Sequence, residues 1–211
     1  MGTGGKTLSL KKFSFLFVAL SLFGFSHSFE LKPFAQFYFP TDATVSKDSM
    51  DVSAEQEWET NFVIEAGIEA LSSAEFNPMR YGLGIGFRSA QQSDGVEAAP
   101  PSIPIWFVLS FGRIMRESIV SPYVSVRGGY LTPITVDGNW WERPLNYFAN
   151  CGVGVVLPLG FTVEASIDYS SMQKSYSDAD IKYRVSSLRI GILLAMNIVV
   201  SHDKMYKQTS D

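Results

Sequence analysis

The run Tyr81-Gly82-Leu83-Gly84-Ile85-Gly86-Phe87-Arg88 decides the fold. Successive side chains of a strand point to opposite sides. Tyr81, Leu83, Ile85 and Phe87 therefore share one face, and Gly82, Gly84, Gly86 and Arg88 share the other. Strict alternation of this kind marks a strand with two unlike faces. The segment 161–169 repeats it, with Phe161, Val163, Ala165, Ile167 and Tyr169 set against Thr162, Glu164, Ser166 and Asp168. So does 62–69, with Phe62, Ile64, Ala66 and Ile68 against Val63, Glu65, Gly67 and Glu69.

Working outward, the pattern predicts eight strands, at about 30–39, 58–71, 80–90, 102–112, 121–131, 146–157, 160–170 and 182–199. Each has about the nine to eleven residues, or slightly more, that a tilted strand needs to cross a bilayer. No stretch reads as a helix longer than a turn or two, so the fold class is all-β. The connections alternate in length. Those at 40–57, 89–101, 132–145 and 171–181 are long and polar, and those at 72–79, 113–120 and 158–159 are short. Long loops at one end and short turns at the other are the habit of outer-membrane barrels.

The N-terminus fits this destination. Lys6, Lys11 and Lys12 precede an apolar-rich run from Phe13 to Phe25, and Ser26-His27-Ser28 follows with small residues at both ends. A basic segment, an apolar segment and a small-x-small site make a secretory signal peptide. The run is too short for a spanning helix, which needs roughly 20 apolar residues. We expect a signal peptide over 1–28, a barrel domain over 29–200 and a polar tail over 201–211. The 211 residues carry a net charge of −4; cutting after Ser28 removes three lysines and leaves −4 − 3 = −7. An acidic chain does not suit nucleic acid, whose binders carry basic patches. Cys151 is the only cysteine, so no internal disulfide can staple the exported domain. Backbone groups in lipid are all satisfied only by helices or closed barrels.

Alternation alone does not separate a membrane barrel from a soluble lipocalin-like one, whose apolar face points inward. Size favours the former. Eight strands enclose a lumen only just wide enough for side chains. The bulky set includes Phe37, Phe39, Phe62, Ile64, Tyr81, Leu83, Phe87, Ile105, Phe107, Leu109, Phe111, Tyr147, Phe161 and Ile167, and the opposite face is small or charged. Tyr81, Phe87, Phe107, Phe111, Tyr130, Tyr147, Phe161, Tyr169 and Tyr183 fall towards strand ends, where aromatic girdles meet the membrane interfaces. The lumen is then expected to hold a charge network of Glu65, Glu69, Arg88, Arg127, Glu164, Asp168 and Arg189. Buried charges persist when paired and hydrogen-bonded. Near balance of sign points to a plug of salt bridges; a narrow porin-like channel for small or apolar solutes is the alternative.

With these features the mature chain resembles the small outer-membrane barrel family of OmpA/OmpX type. The resemblance is carried by 81–87, by Pro122-Tyr123-Val124-Ser125-Val126-Arg127-Gly128-Gly129-Tyr130, and by Arg189-Ile190-Gly191-Ile192-Leu193-Leu194-Ala195-Met196. In the last of these, Arg189, Gly191, Leu194 and Met196 look like the signal by which such barrels are recognised for assembly. Family members often end in an aromatic residue, whereas this chain runs on from Ser201 to Asp211. The resemblance implies an eight-stranded antiparallel up-and-down transmembrane β-barrel in the outer membrane. Its partners would be outer-membrane lipid and lipopolysaccharide, the barrel assembly machinery, and an extracellular ligand at the long loops. The roles it implies range over membrane integrity, adhesion, defence against host factors and small-solute passage, and fold alone does not select among them.

Chemistry is sparse. The barrel enzymes of similar architecture rely on a histidine. Here His27 lies in the signal peptide and His202 in the tail, away from any nameable nucleophile. No catalytic residue, cofactor or metal site is expected; Gly82-x-Gly84-x-Gly86 has no following helix to make a phosphate loop, and no His/Cys cluster has zinc spacing. Cys151 falls on the apolar face of its strand. The first long loop gathers Asp42, Asp48, Asp51, Glu55, Glu57 and Glu59 against Lys47, without calcium-loop spacing. The third carries Trp140 and Trp141, candidates for the headgroup layer or for a loop interaction.

Overall fold

Residues 28–48, 53–72, 78–112, 120–134, 146–176 and 181–201 are described by the structure, a computed structural model. The segment before Ser28 that was expected to be a signal peptide, Trp140 and Trp141, and the tail from His202 onward lie outside these residues.

Period-two alternation builds eight staves. The first is β1 (Ser28–Tyr38) with β2 (Thr41–Asp48), and the second is β3 (Ser53–Thr60) with β4 (Val63–Ser72). The third is β5 (Met79–Arg88) with β6 (Gln91–Ser93), and the fourth β7 (Val96–Ala99) with β8 (Ser102–Gly112). Then come β9 (Ser121–Pro133), β10 (Tyr147–Val156), β11 (Phe161–Tyr176), and last β12 (Ile181–Met196) with β13 (Ile198–Ser201). Neighbours pair antiparallel in chain order, and β1 closes the ring against β12 and β13. The fold is an eight-stranded antiparallel up-and-down barrel.

The closing seam has one gap. Phe34 pairs with Ala195 and Leu31 with Ile198 in a single register, but Lys32 and Pro33 make no ladder partners across it. Pro33 has no N–H to give to the ladder. The first and last described residues meet at this end of the barrel, Ser28 opposite Ser201, and the three short connections join strands there. The tightest of them, Pro158–Gly160, is a single 3-10 turn with Leu159 (φ 63) and Gly160 (φ 82) in the left-handed region.

The other end differs from the sequence reading. Three of the four connections read as long loops are largely strand. β2 and β3 pair from Thr41↔Thr60 to Asp48↔Ser53, which turns most of the predicted loop 40–57 into a hairpin continuous with the predicted strand 58–71. β6 and β7 form a hairpin inside 89–101, and β11 runs on through Ser171–Tyr176 of the predicted loop 171–181, paired with β12 from Ser171↔Ser186 to Tyr176↔Ile181. Polarity suggested loops, but a strand that projects beyond the apolar band has no need of an apolar face. Asp94 (φ 48) and Gly95 (φ 79) make the turn of the second hairpin, the Asp-Gly pair that tolerates positive φ at both central positions.

The two faces separate cleanly. Outward on β8 lie Ile103, Ile105, Phe107, Leu109 and Phe111, and outward on β12 lie Leu188, Ile190, Ile192, Leu194 and Met196. β4, β5, β9, β10 and β11 continue the band with residues such as Ile64, Phe87, Val126, Val153 and Ile167, and Cys151 is exposed within it. Among the described residues no charged side chain interrupts the outer face between these rows. Inside, the alternate residues are buried.

Candidate functional site: the charged lumen

Cross-strand register places charges side by side, and the narrow bore then lets them reach across. Among the described residues the buried lumen holds five acids (Glu30, Glu65, Glu69, Glu164, Asp168) and five bases (Lys32, Arg80, Arg88, Arg127, Arg189). They fall into tiers along the axis.

At the short-turn end Arg80 Nη1 lies 2.8 Å from Glu30 Oε2. The next tier centres on Arg127. Its Nε donates to Glu69 Oε1 at 2.6 Å, its Nη1 to Glu164 Oε1 at 2.5 Å, and its Nη2 to Glu164 Oε2 at 3.1 Å. Ser125 and Asn150 accept from Nη1 at 2.9 and 3.1 Å. Lys32 Nζ lies 3.3 Å from Glu69 Oε2, and Tyr123 donates its hydroxyl to Glu164 Oε2 at 2.5 Å. A planar fork suits this double engagement, where one guanidinium serves two carboxylates.

The third tier centres on Arg88. Nε donates to Glu65 Oε2 at 2.6 Å, its direct cross-strand neighbour, and Nη1 and Nη2 reach both oxygens of Asp168 at 3.1 Å. Tyr38 and Phe148 each place a ring centroid 5.0 Å from the guanidinium carbon, within cation–π range. Gln36 Nε2 donates to Ser166 Oγ at 2.6 Å nearby.

The lumen is not only small and charged, as the face assignment had it. Trp106 points inward at 2% exposure, and its indole N–H donates to Glu69 Oε1 at 3.1 Å. Phe34 and Phe148 pack edge-on to it, with centroids at 5.7 and 6.0 Å. Trp106 thus links the Arg127 and Arg88 tiers. Its place is made by glycine: Gly84 and Gly129 are its register partners on the two flanking strands, and a Cβ on either would overlap it. Gly84→Val is therefore expected to lower stability by about 1–3 kcal/mol, the range for overpacking a close-packed interior. Denaturant midpoints of the refolded barrel measure it, and an unchanged midpoint would mean that Trp106 moves aside freely.

Arg189 behaves differently from the network predicted for it. It faces Asp168 across β11 and β12, but both Asp168 oxygens are held by Arg88. No carboxylate lies within salt-bridge reach of Arg189 among the described residues; it donates to Gln91 Oε1 and, at 3.5 Å, to Ser170 Oγ. Of the other residues in the expected assembly signal, Gly191 sits against the Tyr38 ring, and Leu194 and Met196 face outward. The sequence reading also left out Lys32, Arg80 and Glu30. All three share the inward parity of Phe34 or Gly82, which was the available signal.

Little space remains. A void beside Lys32, Arg80 and Tyr123 has no room for a water, and one at the hairpin end has about 10 Å³, about the space of one water. Among the described residues no three metal-ligating side chains gather. The acids Asp42, Glu55, Glu57 and Glu59 lie exposed on the β2–β3 hairpin, with Asp42 opposite Glu59.

No family model and no curated protein matches the chain. Among solved structures it is similar to the crystal structure of Neisserial surface protein A, at 16% identity, covering 78% of this chain and 95% of that one, with a TM-score of 0.33. The eight-stave closure rests on the strand pairing described above and not on that likeness.

Proposed function

We propose that this chain is an integral outer-membrane barrel with a structural or surface-interaction role, its lumen a non-conducting plug of ion pairs. The observation that carries the reading is the inversion of the two faces. An uninterrupted apolar band covers the outside while ten charged side chains fill the inside. A soluble protein rarely exposes a contiguous apolar patch larger than a few hundred Å². A bilayer gives this band a solvent, and strands of 10 to 16 residues in the eight staves are long enough to cross it at a tilt. The likeness to barrels of OmpA/OmpX type is architectural. The reading assigns no catalysis and no cofactor. Its partners are outer-membrane lipid and lipopolysaccharide, the assembly machinery that recognises the last strand, and an extracellular ligand at the projecting hairpins.

The test is made on isolated outer membranes. The protein is expected to resist carbonate extraction and to change mobility on a gel when boiled. In planar bilayers it is expected to show no steady openings. A chain that washes free, with no boiling shift, removes it from the membrane. Steady openings would transfer the reading to the narrow porin-like channel.

A further inference from the structure

We propose that the hairpin end of the lumen is a binding site for one monatomic anion, a halide. The cavity there is lined by Arg88, Gln91, Ser102, Ser170, Met172 and Arg189 among others. Three buried polar atoms on this lining have no hydrogen-bond partner among the described residues: Arg189 Nε, Gln91 Nε2 and Ser102 Oγ. Two of the three are N–H donors and nothing else, and the hydroxyl can donate. An unmet buried donor costs on the order of 1–3 kcal/mol, and more when charged. The occupant that meets all three must accept.

The pairing of the charges points the same way. Lys32, Arg80, Arg88 and Arg127 each have a carboxylate within 4.0 Å. Arg189 is as buried as they are, at 2% exposure, yet its cross-strand acid is taken by Arg88. The Gln91 carbonyl oxygen accepts from Arg189 Nη2, which leaves the Gln91 amide N–H2 as the donor on this lining. A water has two lone pairs and can accept from at most two of the three donors. A halide can accept from all three. The space of about 10 Å³ admits one small sphere and no polyatomic anion. Anything larger, such as a lipid phosphate or a partner's carboxylate, is excluded by size.

The test uses the full mature chain refolded in detergent, which bypasses cellular assembly. Its thermal midpoint, read from the folded and unfolded gel bands, is compared in sodium chloride, sodium bromide and sodium gluconate at equal ionic strength. At a halide concentration ten times the Kd the midpoint is expected to rise on the order of 3–6 °C over gluconate. Arg189→Met keeps an apolar stem of similar reach and is expected to fold and to lose the halide response. Ser102→Ala, a smaller change, is expected to weaken that response while leaving the gluconate midpoint near wild type. Crystals grown in bromide are expected to show an anomalous peak between Arg189 and Gln91. Equal midpoints in halide and gluconate, a full response in both variants, or an ordered water without anomalous signal would each overturn the proposal.

Discussion

Replacing Arg127 by Met is expected to cost the barrel about 3–5 kcal/mol, because it strips one cation from two buried carboxylates. Glu69 and Glu164 are both 0% exposed, and Arg127 reaches them through three separate N–H groups. Lys32 remains, 3.3 Å from Glu69 and 3.9 Å from Glu164, too far to hold both closely. Met fills much of the same volume, so the loss reports charge and not a cavity. The midpoint of urea unfolding in lipid vesicles measures it. Arg127→Lys is expected to recover only part of the loss, since a point charge cannot engage two carboxylates through a fork. Adding Glu164→Gln to Arg127→Met is expected to restore stability, because it removes one of the stranded charges. If the double variant is no better than the single, the network contributes by packing and the electrostatic account fails.

Most of the barrel was legible because its two unlike faces impose a rule on every residue. Along 81–88 or 161–169 each position must declare itself outward-facing or lumen-facing, and the alternation is never broken. Where the chain leaves the apolar band the rule lapses. Thr41–Asp48 and Ser53–Thr60 place only Ala43, Val45, Ala54 and Trp58 on one face, too thin an apolar row to separate a projecting hairpin from a polar loop by composition. Asp94-Gly95 was the one local mark available, and it does identify its turn.

The lumen was legible in its membership and less so in its connections. Parity places Arg88, Arg127, Glu69 and Glu164 inside, but which cation takes which acid depends on reach across the bore. Arg88 and Asp168 are 80 residues apart, and their pairing leaves Arg189 without the acid that register sets opposite it. Trp106 was hidden by its neighbours, since Ile105 and Phe107 look alike in bulk and point the other way. Its signal lies in pairing and not in the strand itself, a large ring set between Gly84 and Gly129.

Val126 is the residue before Arg127 and obeys the opposite demand. Val126→Arg is expected to destabilise the barrel by about 2–4 kcal/mol, the cost of an arginine on the lipid face near the bilayer midplane. Val126 is 48% exposed near the middle of β9, between Leu109 on β8 and Cys151 on β10. No lumen residue is touched, so the Arg127 network stays intact. The cost should therefore depend on the surroundings: full in lipid vesicles, and smaller in detergent, where water reaches the guanidinium more easily. The same substitution at Tyr130, at the hairpin end of this row, is expected to cost roughly 0–1 kcal/mol, because the headgroups lie close. Unfolding midpoints of the two variants in vesicles and in micelles give the comparison. A gradient from Val126 to Tyr130 that appears only in lipid would mark the apolar band as a membrane surface. Equal, small costs at both positions would mean that the outer face meets water, and that the inversion of its two faces has some cause other than a bilayer.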